Sequence, residues 1–229
     1  MKKIILVATL LSLTLSVFAV EVDLVGPQGT KGESSVDSDI QTLKLAYDLA
    51  DYGYANDSAS ALLQAAEILA QIPKQQADVS AVNEGKKEEA TSKIKNLSPD
   101  QLVKDAKALA SRDKVMLSWA ADIEKSLKTI TRGASGGALY DAHFVYSNGG
   151  TTWYNWYFDA NRLAEVGVHS MDGADLDLYI YDENGNLITY DERPTPGAYC
   201  SFTPRWTGTF KVLIKNNATY NATYEIFTN

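Results

Sequence analysis

Cysteine and histidine are nearly missing from this chain. Its 229 residues carry one Cys, at Cys200, and two His, at His143 and His169. One cysteine excludes an internal disulfide. The fold must then be held by packing, with a bound metal ion as the remaining kind of staple. Cys200 reads as a buried small hydrophobe; a reactive thiol or an intermolecular bridge is the alternative. One Cys and two well-separated His leave too few ligands for a structural zinc site. No His-Glu-x-x-His helix occurs, which excludes a zincin peptidase. A Ser-His-Asp arrangement assembles in space rather than in sequence, so the two histidines are the residues to check for one. Both are expected to sit half-buried on strands, without a catalytic role.

Basic charge is also scarce. The chain has 21 Lys and Arg against 29 Asp and Glu, a net charge of −8. Nucleic-acid binding rests on neutralising phosphates, so that class of partner is excluded. Long apolar runs are absent except at the start. Lys2 and Lys3 precede the apolar stretch Ile4 to Phe18, which ends in Val17-Phe18-Ala19. This is the order of a bacterial-type secretory signal, and it falls short of the roughly 20 predominantly apolar residues a membrane span needs. Residues 1–19 are expected to be removed on export. No cysteine follows the cleavage site, so no lipid anchor is expected. The mature protein would be secreted or periplasmic, with no transmembrane anchor. Losing Lys2 and Lys3 leaves 19 basic against 29 acidic residues, a net charge of −10.

Residues 20–37 are polar, with Gly26, Gly29 and Gly32 at three-residue steps. Three triplets are too few for a collagen helix, and no Gly-Lys-Ser/Thr follows at P-loop spacing. A flexible leader is expected. From Ser38 the period becomes helical. Ile40, Leu43, Tyr47, Ala50 and Tyr54 share one face, and Ala59, Leu62, Ala66 and Leu69 another, with Ser58 as a cap and Pro73 as a stop. The two helices make a hairpin. Lys74 to Lys95 reads as a solvated helix or a loose linker. Ser98-Pro99-Asp100-Gln101 is a capping-box start. The stripe Leu102, Ala106, Leu109, Asp113, Met116, Ala120, Ile123, Leu127 then predicts one long helix to about Ile130. It would lie against the hairpin or zip two copies into a helix-mediated dimer.

Gly133-Ala134-Ser135-Gly136-Gly137 marks a boundary, so the helical module spans 38–132. Beyond it the period is two. Strands are expected at Tyr140–Ser147, Thr152–Phe158, Leu163–His169, Asp175–Ile180, Leu187–Tyr190, Ala198–Phe202, Thr209–Ile214 and Ala222–Phe227, with Asn184-Gly185 as a hairpin turn. Eight short strands over 138–229 predict an antiparallel β-sandwich. The fold class is therefore α+β with two domains: an N-terminal helical hairpin or bundle, then a C-terminal sandwich.

Three blocks in this second half are Asp175-Leu-Asp-Leu-Tyr-Ile-Tyr-Asp-Glu-Asn-Gly185, Ser201-Phe-Thr-Pro204 and Thr207-Gly-Thr-Phe-Lys-Val-Leu-Ile-Lys215. In order and spacing they resemble the bacterial pre-peptidase C-terminal domain, over roughly Thr151–Asn229. The resemblance implies a jelly-roll-like β-sandwich, export, a substrate-binding or targeting role and, in some members, calcium. It does not imply catalysis by this domain. No peptidase module precedes the sandwich here, which departs from the family's usual setting.

Two constellations could bind. Asp175 and Asp177 point to one side of a strand, Asp172 precedes them, and Asp182 and Asp191 flank the next hairpin. Calcium (Ca2+) takes six to eight oxygens, so these five are the candidate metal ligands. A solvated acidic face, or neutralisation by Arg162, Arg193 or Arg205, is the alternative. Trp153, Tyr154, Trp156 and Tyr157 crowd one strand, so both its faces carry rings. One face must enter the core. The other would be a patch for a protein or glycan surface if exposed, or would seal against the helices. The expectation is an exported non-catalytic binding or adaptor protein. The alternatives are a secreted hydrolase with a site between the modules, and an envelope-associated structural protein.

Overall fold

Both halves of the chain contribute strands, so the switch of period at residue 137 does not divide helix from sheet. The computed structural model describes residues 29–31, 38–86, 94–129 and 137–229. The expected signal peptide and most of the expected leader lie outside the described residues.

Helix α1 (Asp39–Ala55) starts at Ser38, whose hydroxyl accepts from the Gln41 N–H at 3.1 Å. Ser58 caps α2 (Ala59–Gln71) in the same way. Ile40, Leu43, Tyr47 and Ala50 of α1 and Leu62, Leu63 and Ala66 of α2 are buried in one cluster, as the three-and-four spacing predicts. Gly53 permits the close approach of the two helices: a Cβ there would lie 2.5 Å from Leu62 Cδ2.

The single helix expected over 98–130 is two, α3 (Pro99–Ala110) and α4 (Lys114–Thr129). Ser111 takes φ +51°, and the Asp113 carboxylate accepts from the N–H groups of Val115 and Met116 at 2.9 and 3.2 Å. An aspartate that bonds the N–H groups two and three residues on starts a new helix. The one polar member of the stripe is therefore where the helix breaks. Folding back puts Leu102, Ala106, Ala120 and Ile123 into the cluster built on α1 and α2. The capping box at Ser98 is half made. Its hydroxyl receives the Gln101 N–H at 3.4 Å, but the Gln101 amide bonds Asp105, and Asn96 takes the Ser98 N–H.

Lys74–Gln76 and Ala81–Glu84 form strands β2 and β3, not a helix or a loose linker. Ala77, Val79 and Ala81, at alternate positions, pack on the sheet core, a period of two hidden among polar neighbours. The remaining strands are β1 (Gly29–Lys31), β4 (Ala138–Val145), β5 (Thr151–Phe158), β6 (Ala164–Ser170), β7 (Leu176–Tyr181), β8 (Leu187–Asp191), β9 (Gly197–Pro204), β10 (Gly208–Asn216) and β11 (Ala222–Thr228). The three described residues of the expected leader thus form strand β1, against β9. One sheet has the order β1-β9-β6-β11-β4-β2 and the other β3-β5-β10-β7-β8. Among the described strands only the β2–β4 pairing is parallel. At the β7–β8 turn Gly185 has φ +86°, and its N–H bonds the Asp182 carbonyl. Asn184 stays at negative φ, so the turn carries one left-handed residue rather than the two of a type I′ turn.

The sheets face each other across one core. Tyr154, Trp156, Phe158, Leu178, Phe210 and Val212 come from the five-stranded sheet, and Val166, Val168, Cys200, Phe202, Tyr224 and Ile226 from the six-stranded one. Burying each large side chain is worth about 1.5–3 kcal/mol. Cys200 is 2% exposed, a core side chain. The helices cover the other side of the six-stranded sheet. Phe227, Ala138, Tyr140 and Tyr199 of that sheet belong to the helical cluster. Phe227 lies over Gly167, where a Cβ would come within 2.3 Å of its ring. The result is an α+β fold in three layers: helices, six-stranded sheet, five-stranded sheet.

Candidate functional site

Among the described residues no helix covers the outer face of the five-stranded sheet, and strand registration builds a row of side chains across it. Val82 on β3 lies opposite Trp153 on β5, Trp153 opposite Leu213 on β10, Leu213 opposite Tyr179 on β7, and Tyr179 opposite Tyr190 on β8. Val82 is 57% and Tyr190 54% exposed. A parallel row beside it is Asn155, Lys211, Tyr181 and Leu187. The two rows touch: Tyr181 lies 5.8 Å from the Trp153 ring and 6.4 Å from Tyr179, and Tyr190 lies 6.2 Å from Tyr179. The three tyrosine rings are within 24° of parallel along this path.

Carboxylates fix the rings by their polar ends. Trp153 Nε1–H donates to Glu84 at 3.3 Å. The Tyr179 hydroxyl donates to Glu192 at 2.5 Å and also reaches Asp177 at 3.3 Å. Partial burial, then these acids, hold the Tyr179 phenol well above its ordinary pKa, so it stays a neutral donor. The row ends at a groove of about 720 Å³ along edge strand β8, lined by Leu187, Tyr190, Glu192 and Arg193 among others.

The four aromatic candidates therefore divide by the strand's alternation. Trp153 and Tyr157 lie on the open face, Tyr157 being 66% exposed. Tyr154 and Trp156 do not bind from the surface; they are 1% and 3% exposed in the core. The Tyr154 hydroxyl crosses between the sheets to Asp141, at 2.9 Å, and Tyr224, at 3.0 Å. Tyr179, Tyr181 and Tyr190 were missed as site residues. The signal was present: in Leu176-Asp-Leu-Tyr-Ile-Tyr181 two of the three positions that alternate with buried leucines and isoleucine, Tyr179 and Tyr181, are aromatic where a solvated strand would be polar.

The five acidic candidates are each engaged by protein donors. Asp172 accepts from Ser170 Oγ and the Thr223 N–H. Asp177, 4% exposed, pairs with Lys215 at 3.1 Å. Asp182 takes the N–H groups of Asn184 and Asn186 and the Asn186 amide, which closes the β7–β8 turn. Asp191 is gripped by Arg193 at 2.6 Å and by the Tyr199 N–H. Burial alone would raise its pKa, but these donors outweigh it and hold the carboxyl below its ordinary value. Asp175 receives the Asn217 amide at 3.4 Å, and its Oδ1 is buried without a partner. Among the described residues no group of three His, Cys, Asp or Glu is placed to hold a metal ion.

The layer between helices and sheet holds the other chemistry-bearing residues. Glu225, on β11, accepts from Tyr47 Oη at 2.6 Å and pairs with Lys74 at 2.5 Å. Lys74 Nζ also lies over the rings of Tyr47 and Tyr140. His169, fully buried, stacks on Tyr47 with centroids 4.7 Å apart. Both its nitrogens lack a hydrogen-bond partner. Burial, the main cause, lowers its pKa to about 3, so it is neutral. Its 3.4 Å approach to Asp51 is accordingly not an ion pair. Asp51 in turn is held above its ordinary value by burial, offset by Lys95. His143 meets Asn83 at 3.4 Å and packs on Phe144. Neither histidine reaches a serine hydroxyl among the described residues. Gly133-Ala134-Ser135-Gly136-Gly137 has the spelling of a Gly-x-Ser-x-Gly nucleophile elbow, which the boundary reading passed over. It lies between α4 and β4, helix before strand, whereas the elbow needs strand before helix.

No protein-family model matches the chain, and no curated protein does. Among solved structures it is similar to the crystal structure of IDO from Bacillus thuringiensis. The identity is 10%, the match covers 86% of this chain and 96% of that one, and the TM-score is 0.23. At that value the likeness carries no argument about fold or function. No helix among the described residues is long and apolar enough to cross a membrane.

Proposed function

We propose that this protein is an exported, non-catalytic binding protein whose recognition surface is the uncovered face of the five-stranded sheet. The first 19 residues are its export signal. The paired sheets act as a jelly-roll-like sandwich domain, the kind implied by the resemblance to the pre-peptidase C-terminal domain. The helices form a bundle that closes its back.

One observation carries this reading. Trp153, Tyr179 and Tyr190 stand in one cross-strand row on a face that the helices leave open, and the polar ends of Trp153 and Tyr179 are tied to Glu84 and Glu192. Trp153 and Tyr179 are half-buried and Tyr190 is exposed; rings held in place lose little freedom on binding, which is why such side chains dominate recognition surfaces. A face needed only for solubility would carry Lys, Glu and Thr at these positions.

The reading is tested by sedimentation. Purified protein is mixed with the insoluble cell-wall and matrix fraction of the producing cell and spun down. Wild type should pellet with the fraction, and Trp153→Ala/Tyr190→Ala should stay in the supernatant while keeping its far-ultraviolet spectrum. Equal pelleting of both, or of neither, overturns the reading.

A further inference from the structure

The open face has chemistry specific enough to name its ligand class, an inference that rests on the binding reading above. We infer that it binds a neutral polysaccharide of β-linked pyranose units, laid across the strands along the row Val82, Trp153, Leu213, Tyr179, Tyr190 and running out into the groove beside β8.

Charge is the first argument. The acids of this face are already used: Asp177 by Lys215, Glu192 by Tyr179 and Glu84 by Trp153. A cationic partner would have to compete with Lys215 for Asp177, and would draw Glu84 and Glu192 away from the rings they orient. An anionic polymer would meet a chain of net charge −8. A neutral ligand faces neither cost.

Shape is the second. Leu213, 8% exposed, floors the gap between Trp153 and Tyr179; their strands stand two steps of about 4.8 Å apart, a spacing of the order of two units of an extended pyranose chain. A sugar ring offers aromatic side chains a flat C–H surface. Its equatorial hydroxyls point outward from that surface, toward polar groups at the margins. Asn155 and Lys211 supply such groups on one side of the row, and Lys215 and Thr151 on the other. An α-linked chain coils and would leave the row after one or two units. The groove of about 720 Å³ at the Tyr190 end leaves room for the polymer to continue past the sheet edge.

The test is native-gel affinity electrophoresis of the purified protein with β-glucan, xylan and galactomannan, with the α-linked polymer dextran and the polyanion alginate as controls. At least one β-linked polymer should retard the protein, and neither control should. Tyr190→Ala or Trp153→Ala should each weaken that retardation roughly tenfold, the size of one lost ring contact. Tyr157→Ala, exposed on the same face but outside the row, should change it less than twofold. No retardation by any β-linked polymer, or an equal loss in all three variants, overturns the inference. The pelleting assay keeps the two claims apart. Binding abolished by periodate but surviving protease treatment of the insoluble fraction supports a glycan. Binding abolished by protease and unaffected by periodate, still lost in the row variant, keeps the face as the site and overturns the glycan.

Discussion

The outer faces of the two sheets are built by the same alternation of side chains and have come to opposite ends. On the six-stranded sheet the outward positions of β6, β9 and β11 include His169, Tyr199, Glu225 and Phe227, and α1 lies over them. On the five-stranded sheet the outward positions include Trp153, Tyr179, Tyr181 and Lys211, and none of the described helices covers them. Both faces carry rings whose polar ends are bonded to carboxylates. The difference lies in what those bonds secure. Tyr47 and Lys74 converge on Glu225 inside the protein, where an unmatched charge is costly. Tyr179 and Trp153 reach Glu192 and Glu84 at the surface, where the same type of bond sets ring orientation and adds little stability. Ring content in a strand therefore does not distinguish a seam from a site. What it is packed against does.

The sharpest way to break the comparison is to remove the cation from the covered face. Lys74→Met leaves the Glu225 carboxylate buried with only the Tyr47 hydroxyl, and should cost about 3 kcal/mol, read as a shifted midpoint in urea. A loss below about 1 kcal/mol would mean that Glu225 is neutral or wet, and the contrast between the faces would fail.

The next effect is on pH. His169 titrates at about 3 in the folded protein, against about 6.5 when solvated. Between those values the unfolded chain holds the proton and the native chain does not. The site's contribution is thus intact above about pH 6.5 and is lost as the pH falls toward 3. The groups facing it are Asp48, Lys44 and Asp51 on α1, and Lys95. His169→Phe keeps a ring against Tyr47 and removes the titration. Its melting temperature should drop less than wild type's between about pH 7 and pH 4.5. Equal drops would place the acid sensitivity in carboxylates elsewhere.

Smaller still is the effect of editing the open face. Tyr190→Ser should change stability by about 0.5 kcal/mol or less, measured by the same urea titration. A loss several times larger would make Tyr190 a packing residue and weaken its claim to a ligand.

The smallest expected effect is that of calcium. Lys215, Asn217, Arg193, Thr223 and the β7–β8 turn already engage the five acids. A melt in EDTA followed by Ca2+, with Mg2+ as control, should therefore show no Ca2+-selective rise. A saturable rise lost in Asp175→Asn/Asp177→Asn would show that an ion displaces these partners, and would return the acidic strand to the list of sites.

All eight strands expected after residue 137 are present; in most of them apolar residues recur at every second position, as in Leu176, Leu178 and Ile180 or Phe210, Val212 and Ile214, a pattern that only a strand satisfies. The first two helices were equally plain. Asp113 was visible but misread, since a polar residue within an apolar stripe looks the same whether it faces solvent or ends the helix. The strands at Lys74–Glu84 were obscured because only Ala77, Val79 and Ala81 mark the period and their neighbours are Lys, Gln and Asp. At the site, Trp153 and Tyr157 were recognised as a crowd of rings on one strand. Tyr179 and Tyr190 were not, because the row exists only across strands, and registration between distant segments leaves no local trace. The acidic candidates illustrate the reverse. Asp172, Asp175 and Asp177 are close in sequence, yet bonding partners of theirs, Thr223, Asn217 and Lys215, come from β11, the turn before it and β10.

The early strands have a further consequence, for the time course of biogenesis. Gly29 pairs with Pro204, Lys74 with Ala138 and Ala81 with Tyr154. Each of these three described strands waits for a partner made in the second half of synthesis. Such long-range pairing folds slowly. The helices alone cannot bury their sheet-facing side before β6, β9 and β11 exist. A chain with this wiring remains open until its last strands have been translated. The export proposed above would use that delay, because a translocation channel passes chains that have not yet folded.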